Sequence, residues 1–270
     1  MARFALMLAA ALSGCALMLA DSTPRKEMLA AVTERNELIR FSAAQPQRVL
    51  ARVALAGLQP GETLLGIDFR VARGVLYGLG SSGRLYTLDA RTGQATALGQ
   101  PIAVKPEGSQ FGFDFNPTVD RIRLVSDAGQ NLRLHPDTGA LVQQDAAPAY
   151  APGDPSAGRA PRLMAAAYTY NKANDKLTTN FAIDCALGML VTIGTREGRT
   201  PAVSPNTGQL YTVGPLGSGA CERASFDIAD VDNAALATLG SQLYAVNLDT
   251  GAANRIGALA EPLRGLAIEP

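Results

Sequence analysis

One phrase occurs twice in this chain: alternating apolar residues, a Thr-Gly pair, further apolar residues and a closing glycine. The first copy spans residues 76–99 and the second spans 242–257. Alternation on both sides of a Thr-Gly turn is typical of two β-strands joined by a tight turn. Because such a unit buries its apolar face only when several copies stack around one core, the phrase predicts a β-strand repeat protein.

A second pattern, a small residue followed by apolar–Asp–apolar, also recurs. It is found at residues 65–69, 111–115 and 224–228, it returns at 264–268 with Ala in place of Asp, and residues 164–168 fit it more loosely. A small and a polar residue in one strand indicate crowding on one side and water on the other. The innermost strand of a β-propeller blade, beside the central channel, has this environment.

These repeats divide the chain into blades. Starting each blade at the Asp-type strand gives four complete blades, at about residues 64–99, 109–145, 162–215 and 223–258. Three N-terminal strands, at 28–32, 37–41 and 48–53, and one C-terminal strand, at 265–269, remain for a fifth. A ring closed by both termini has no exposed sheet edge. The sequence thus predicts an all-β protein, a β-propeller of five four-stranded blades. A six-bladed ring and a β-sandwich or two stacked β-domains are the alternatives, and the latter leave the Asp-type strand unexplained.

The first 20 residues are predicted to be a targeting segment. Arg3 precedes the apolar run 4–12, and Leu-Ser-Gly-Cys follows at once, ending at Cys15. This resembles a bacterial lipobox, in which the cysteine is acylated after export. A cleaved signal with a chance cysteine, or an uncleaved anchor that includes residues 16–20, are the alternatives. We expect lipidation at Cys15, a single propeller domain at 21–270, and a location in the cell envelope, lipid-anchored, periplasmic or secreted.

Charge and motif content exclude several function classes. Lys and Arg number 24 and Asp and Glu number 24, so the basic surface of a nucleic-acid-binding protein is not expected. His135 is the one histidine, and it occupies a turn position that Asp89 and Asn247 hold in other repeats. Ser–His and Cys–His catalysis and a zinc site therefore have no support, and no phosphate-binding loop is present. We expect no cofactor and no metal.

Apart from Cys15, the chain has two cysteines, Cys185 and Cys221, at positions 36 residues apart. An even pair in an exported chain is either a disulfide or two separate buried thiols, and the sequence leaves both open.

Three longer segments make the chain resemble a known family. The segments 61–70, 76–99 and 111–134, together with Thr-Val-Gly-Pro-Leu-Gly at 212–217, resemble the uncharacterised bacterial family DUF4394 over residues 28–269. The chain departs from the family at an insertion, 195–205, and at its two late cysteines. The resemblance implies a propeller-like exported protein and implies no activity.

Three carboxylates are the first candidate site. Asp68, Asp114 and Asp227 hold the same place in the Asp-type strands, so ring symmetry predicts that they converge at one end of the channel. Converging carboxylates bind a cation, hold sugar hydroxyls or perform acid–base chemistry. The alternative is that each one caps main-chain amides. The acidic run 227–233 has some features of a calcium loop, but it lacks the Gly and terminal Glu of an EF-hand.

A dense polar segment in the blade at 109–145 is the second candidate site. Its arginine side chains can each donate two hydrogen bonds to one ligand, and together with an amide side chain they predict a pocket for a carboxylate or a sugar. The alternative is an ion pair within the blade. The residues are Asp120, Arg121, Arg123, Asn131 and Arg133.

The sequence favours a non-enzymatic protein as the first functional hypothesis. Such a protein would bind a protein, a glycan or a small polar ligand and would contact the membrane only through its lipid. The alternative is a carbohydrate-active hydrolase or lyase that uses the three channel carboxylates. Carboxylate separations of ~5–5.5 or ~6.5–9.5 Å in an open pocket would favour the enzyme. A structural envelope protein is a third possibility.

Overall fold

The computed structural model of this protein describes residues 25–270. The predicted targeting segment, with Cys15, lies outside the described residues. Within residues 25–270, no helix is both long enough and apolar enough to cross a membrane.

The described residues form 21 strands and two short 3-10 helices, Val71–Arg73 and Pro205–Thr207. The strands are, in chain order, β1 (Met28–Thr33), β2 (Glu37–Ser42), β3 (Val49–Ala54), β4 (Leu64–Arg70), β5 (Val75–Gly80), β6 (Leu85–Leu88), β7 (Ala95–Leu98), β8 (Phe111–Asn116), β9 (Arg121–Ser126), β10 (Asn131–Leu134), β11 (Leu141–Gln144), β12 (Ala149–Tyr150), β13 (Leu163–Tyr168), β14 (Asn180–Asp184), β15 (Met189–Ile193), β16 (Gln209–Pro215), β17 (Ala224–Ile228), β18 (Ala235–Leu239), β19 (Gln242–Val246), β20 (Ala253–Ala258) and β21 (Leu263–Ile268).

These strands form the five sheets of a five-bladed β-propeller, which confirms the predicted fold class. Blade one has the order β21-β1-β2-β3, so the C-terminal strand completes the N-terminal blade as predicted. Its register pairs Ala31 with Leu266. Blades two, three and five are β4–β7, β8–β11 and β17–β20. Blade four, β13–β16, carries an unpredicted fifth strand, because β12 pairs in parallel with β16.

The innermost strands contact one another around the ring in the order β4, β8, β13, β17, β21 and back to β4. Close approach explains the small residue of the Asp-type strand. A Cβ on Gly112 would lie 2.4 Å from the main-chain nitrogen of Ala166, and one on Gly66 would lie 2.6 Å from Cβ of Phe113. Glycine therefore lets β4 and β8 pack directly against the next blade.

Apolar side chains fill the spaces between neighbouring blades. Four of the five interfaces are packed with buried apolar residues from both blades that form them. At the interface of blades three and four, the buried cluster takes only Val125 from blade three. This interface is where polar side chains of blade three are buried instead.

The turn residues act as the sequence predicts. Asp89 accepts hydrogen bonds from the N–H groups of Arg91 and Thr92, and Asn247 accepts the equivalent pair from Asp249 and Thr250. In the same position, Nδ1 of His135 accepts a hydrogen bond from the N–H of Asp137. These side chains stabilise the hairpin turns.

Of the two alternatives for the late cysteines, the structure has the bonded one: Cys185 and Cys221 form a disulfide. Cys185 follows β14 and is fully buried. The N–H of Cys221 donates to the carbonyl of Cys185, so the same short contact is also held through the main chain.

Candidate functional site

The structure brings Asp68, Asp114 and Asp227 together at the centre of the ring. One carboxylate oxygen of each lies within 4.8 Å of the others. The three residues are only 5%, 3% and 5% exposed, which separates them from an open pocket.

Each carboxylate binds the next blade in the ring. Asp68 accepts hydrogen bonds from the N–H of Phe69 at 2.7 Å and from that of Phe115, in blade three, at 2.9 Å. Asp114 accepts one from Tyr168 in blade four at 3.3 Å. Asp227 repeats the pattern between blades five and one with the N–H groups of Ile228 at 2.6 Å and Ile268 at 2.5 Å.

These hydrogen bonds do not offset the desolvation and the mutual repulsion of three buried carboxylates. Burial raises the pKa of Asp68 and Asp114, and repulsion from neighbouring carboxylates, including Asp227, raises both further. Burial also raises the pKa of Asp227 to about 7. The main-chain hydrogen bonds act in the opposite direction and lower these pKa values, but desolvation of the charged form dominates.

The three carboxylates hold neighbouring inner strands together, and they also have the composition of a cation site. Oxygen atoms are the ligands that Ca²⁺ and Mg²⁺ prefer, so one cation could be held among Asp68, Asp114 and Asp227. Both oxygens of Asp68 and Asp227 and one of Asp114 already accept main-chain N–H groups. The capping alternative of the sequence analysis therefore accounts for most of their bonding capacity.

The rest of the acidic run 227–233 does not join this cluster. Asp232 accepts from the N–H of Ala234 and pairs with Lys26 at 3.0 Å. Asn233, with φ 56, exchanges two hydrogen bonds with the main chain of Tyr170. Within residues 25–270, the three inner-strand aspartates are the one group of three or more potential metal ligands.

Arg123 is the centre of the second candidate site. It lies on β9, is 2% exposed, and donates to the Tyr168 hydroxyl at 2.7 Å and to Oδ1 of Asn206 at 2.7 Å, both in blade four. Within blade three it donates to Oδ1 of Asn131 and to Asp145 at 3.1 Å. A buried guanidinium is stable here because several oxygen atoms replace its water.

Comparison with the other blades shows that this arginine is exceptional. The second-strand residue opposite the inner-strand Asp or Ala of each blade is Tyr77, Arg123, Phe181, Leu236 or Ala30. In the four other blades this place carries an uncharged side chain. Blade three thus gives up apolar packing against blade four for a charged network.

Arg133 lies directly opposite Arg123 on the neighbouring strand. Like charges in this position repel each other. The carboxylate of Asp145 lies between them, accepting from Arg133 at 2.8 and 2.9 Å and from Arg123. Asn131 holds the same end of the network by donating to the carbonyl of Ala146 at 3.0 Å.

A crevice of about 410 Å³ opens beside this network, between blades three and four. Its lining contains three arginines and no carboxylate. The lining residues are Asn116, Val119, Arg121, Ile122, Arg123, Arg133, Val142, Tyr168, Ser204, Pro205 and Asn206. Within the described part of the chain, the guanidinium of Arg121 donates only to the main-chain carbonyls of Val119 and Asp120.

Asp120 does not join this group. It has φ 49 and pairs with Arg70 of blade two, which is 4% exposed and also bonds Asp137 at 2.5 Å. Neither a pocket role for Asp120 nor an ion pair within its own blade is found, because its side chain turns toward blade two. The structure brings together Arg121, Arg123, Asn131 and Arg133 on the opposite face.

Sequence reasoning missed the other members of the network. Tyr168 and Asn206 belong to blade four, and Asp145 follows β11. Asn206 immediately follows the insertion 195–205, in the 3-10 helix Pro205–Thr207. The departure from the repeat at this insertion was the available signal, but which blade face it covers depends on the assembled ring.

Comparison with known proteins identifies the family of this chain. A family model described as "Domain of unknown function (DUF4394)" matches residues 37–267. The chain belongs to the DUF4394 family. No curated protein matches it.

Among solved structures, this DUF4394 chain is similar to a protein described as "Dihydro-heme d1 dehydrogenase NirN in complex with DHE", with 13% identity and a TM-score of 0.40. The match covers 86% of the DUF4394 chain and 43% of the NirN chain, so the chain spans less than half the length of that protein.

Proposed function

We propose that this protein is an exported, lipid-anchored binding module that holds a small carboxylate ligand in the crevice between blades three and four. The observation that carries this proposal is the lining of the crevice, which has three arginines and no carboxylate. Asp145, behind the lining, offsets one of these positive charges through its bonds to Arg123 and Arg133. The crevice therefore has an excess of positive charge, and planar guanidinium groups match the two oxygens of a carboxylate.

The size and construction of the crevice support the same proposal. Its volume of about 410 Å³ falls within the roughly 300–1,000 Å³ typical of small-molecule sites. Arg123 is fixed by four partners, so little ordering is needed when a ligand binds.

Calorimetry with D-glucuronate and D-glucose tests the proposal, because these probes share a sugar ring and differ in the carboxylate. We expect binding of glucuronate only. Arg121→Gln should weaken it about 10- to 150-fold, which corresponds to the roughly 1.5–3 kcal/mol of a hydrogen bond to a charged group. Arg91→Gln, which changes an exposed arginine in a turn of blade two, is the matched control and should bind normally. Equal binding of the two sugars, or no binding of any carboxylate, would contradict the proposal.

The proposed address rests on the targeting segment. Cys15→Ala should abolish acylation and release the protein into the soluble fraction, because one acylated cysteine is the anchor we propose. A mutant that stays membrane-bound in high salt would favour an uncleaved apolar segment through Ala20.

The enzyme alternative draws less support from the channel carboxylates. Their nearest oxygens lie within 4.8 Å and are buried, whereas a glycosidase pair stands ~5–5.5 or ~6.5–9.5 Å apart in an open pocket. Hydrolysis of a chromogenic glycoside that disappears in a folded Asp114→Asn variant would favour the enzyme instead.

A further inference from the structure

The crevice lined by the three arginines also has exposed apolar residues in its lining. Its lining includes Val119 and Val142, which are 56% and 42% exposed. Within residues 25–270, four large hydrophobic side chains are exposed, and two of the four are these valines. These two valines beside the arginines offer apolar area that a ligand can remove from water.

The backbone presents both valines in unusual ways. Val119 lies in the turn between β8 and β9, immediately before Asp120, whose φ is 49. Val142 lies on the edge strand β11 at a register shift: Arg133 pairs with Gln143 and Leu134 pairs with Leu141, which leaves Val142 without a partner. A bulge of this kind redirects a side chain at the edge of a sheet.

We propose that the ligand is an amphipathic carboxylate, with its carboxylate at Arg121 and Arg133 and a short hydrocarbon part against Val119 and Val142. This inference rests on the proposed function and narrows its ligand class. Arginine and valine line one continuous crevice of about 410 Å³, which accommodates a short chain and a charged head together.

The test is calorimetry of the full-length protein with butyrate and hexanoate, which differ by two methylenes. Burial of a methylene is worth at most about 0.8 kcal/mol, so hexanoate should bind about 4- to 15-fold more tightly than butyrate. In the Val119→Ser/Val142→Ser variant this ratio should fall to about one, while butyrate affinity stays within about twofold of the wild-type value. Val231→Ser, at another exposed valine, is the control and should keep the wild-type ratio. Melting temperatures verify that each variant is folded.

The outcomes separate the two proposals. Glucuronate binding without tighter binding of hexanoate than of butyrate would overturn the inference and leave the anion-binding function intact. A chain-length ratio that persists in the double serine variant would also overturn it, because the hydrocarbon would then bind elsewhere. If no carboxylate binds, the proposed function fails together with the inference.

Discussion

The carboxylate of Asp68 accepts a 2.9 Å hydrogen bond from the main-chain N–H of Phe115, one blade further around the ring. The equivalent bonds of Asp114 and Asp227 join blades three to four and five to one. Ala167 and Ala267 occupy the same place in the other two blades, where a methyl group cannot accept such a bond. The acids therefore join three of the five inner-strand contacts, and their crowding has a measurable consequence.

The first prediction concerns pH. Asp227 has a folded-state pKa of about 7, above its ordinary value of 3.8, so folding is favoured by protonation. This contribution is fully present below pH 3.8 and is lost as the pH rises through 7, an effect of roughly 4 kcal/mol at most. In urea denaturation with EDTA, the free energy of unfolding of the wild type should fall relative to Asp227→Asn between pH 5 and pH 8.

The variant is the control, because other ion-paired acids, which lose stability on acidification, are common to both proteins. Parallel pH profiles for the wild type and Asp227→Asn would show that the carboxylate of Asp227 keeps an ordinary pKa.

The second prediction concerns Arg70, which joins blade two to blade three. Its guanidinium is 4% exposed and bonds Asp120 and Asp137, so Arg70→Met should lower the free energy of unfolding by about 2–3 kcal/mol. Arg73 is 58% exposed and lies 3.7 Å from the same Asp137, and Arg73→Met should cost less than about 0.5 kcal/mol. Chemical denaturation of both variants measures the difference. Similar small losses of unfolding free energy would mean that the bonds of Arg70 do not stabilise the contact between the blades.

Most of the ring could be predicted from the sequence because the patterns that indicate its strands are local and repeated. Alternation and the Asp-type strand locate each inner strand, and the orphan strand at 265–269 predicts the closure that β21 makes with β1. The two-residue strand β12 was not predictable, since its pairing with β16 depends on neighbours far along the chain.

The candidate site was predictable in part for the same reason. Arg121, Arg123 and Arg133 stand out in the sequence because they lie within one dense polar segment. The partners of Arg123 come from another blade, and the direction of Asp120 is set by Arg70 of a third. Such contacts depend on blade packing, which no single repeat records.

The third prediction concerns the close contact of inner strands. In Gly112→Ala the new Cβ would lie 2.4 Å from the nitrogen of Ala166 and 2.7 Å from the carbonyl carbon of Ala165, and main-chain atoms cannot move aside locally. We expect a loss of about 3 kcal/mol or a failure to fold. In Gly78→Ala, a strand glycine of blade two, the nearest atom is a leucine methyl at 3.1 Å, so the loss should stay near 1 kcal/mol or below. Thermal melts of both variants compare them, and equal effects would rule out tight inner-strand packing as the reason for Gly112.

The last prediction concerns closure. Strand β21 pairs with β1, contacts the inner strands β4 and β17, and donates the N–H of Ile268 to Asp227. Deleting residues 262–270 would expose the inner edge of β1, remove the apolar residues Leu263 and Leu266 from the core between blades five and one, and leave one oxygen of Asp227 without its donor. Because each blade is stabilised mainly by its neighbours, the loss should spread around the ring and abolish the cooperative thermal transition seen by circular dichroism. Deleting the exposed Pro270 alone should leave the transition unchanged. If the longer truncation retained a full cooperative melt, blade one would be stable without β21, and the ring would not depend on closure by its two ends.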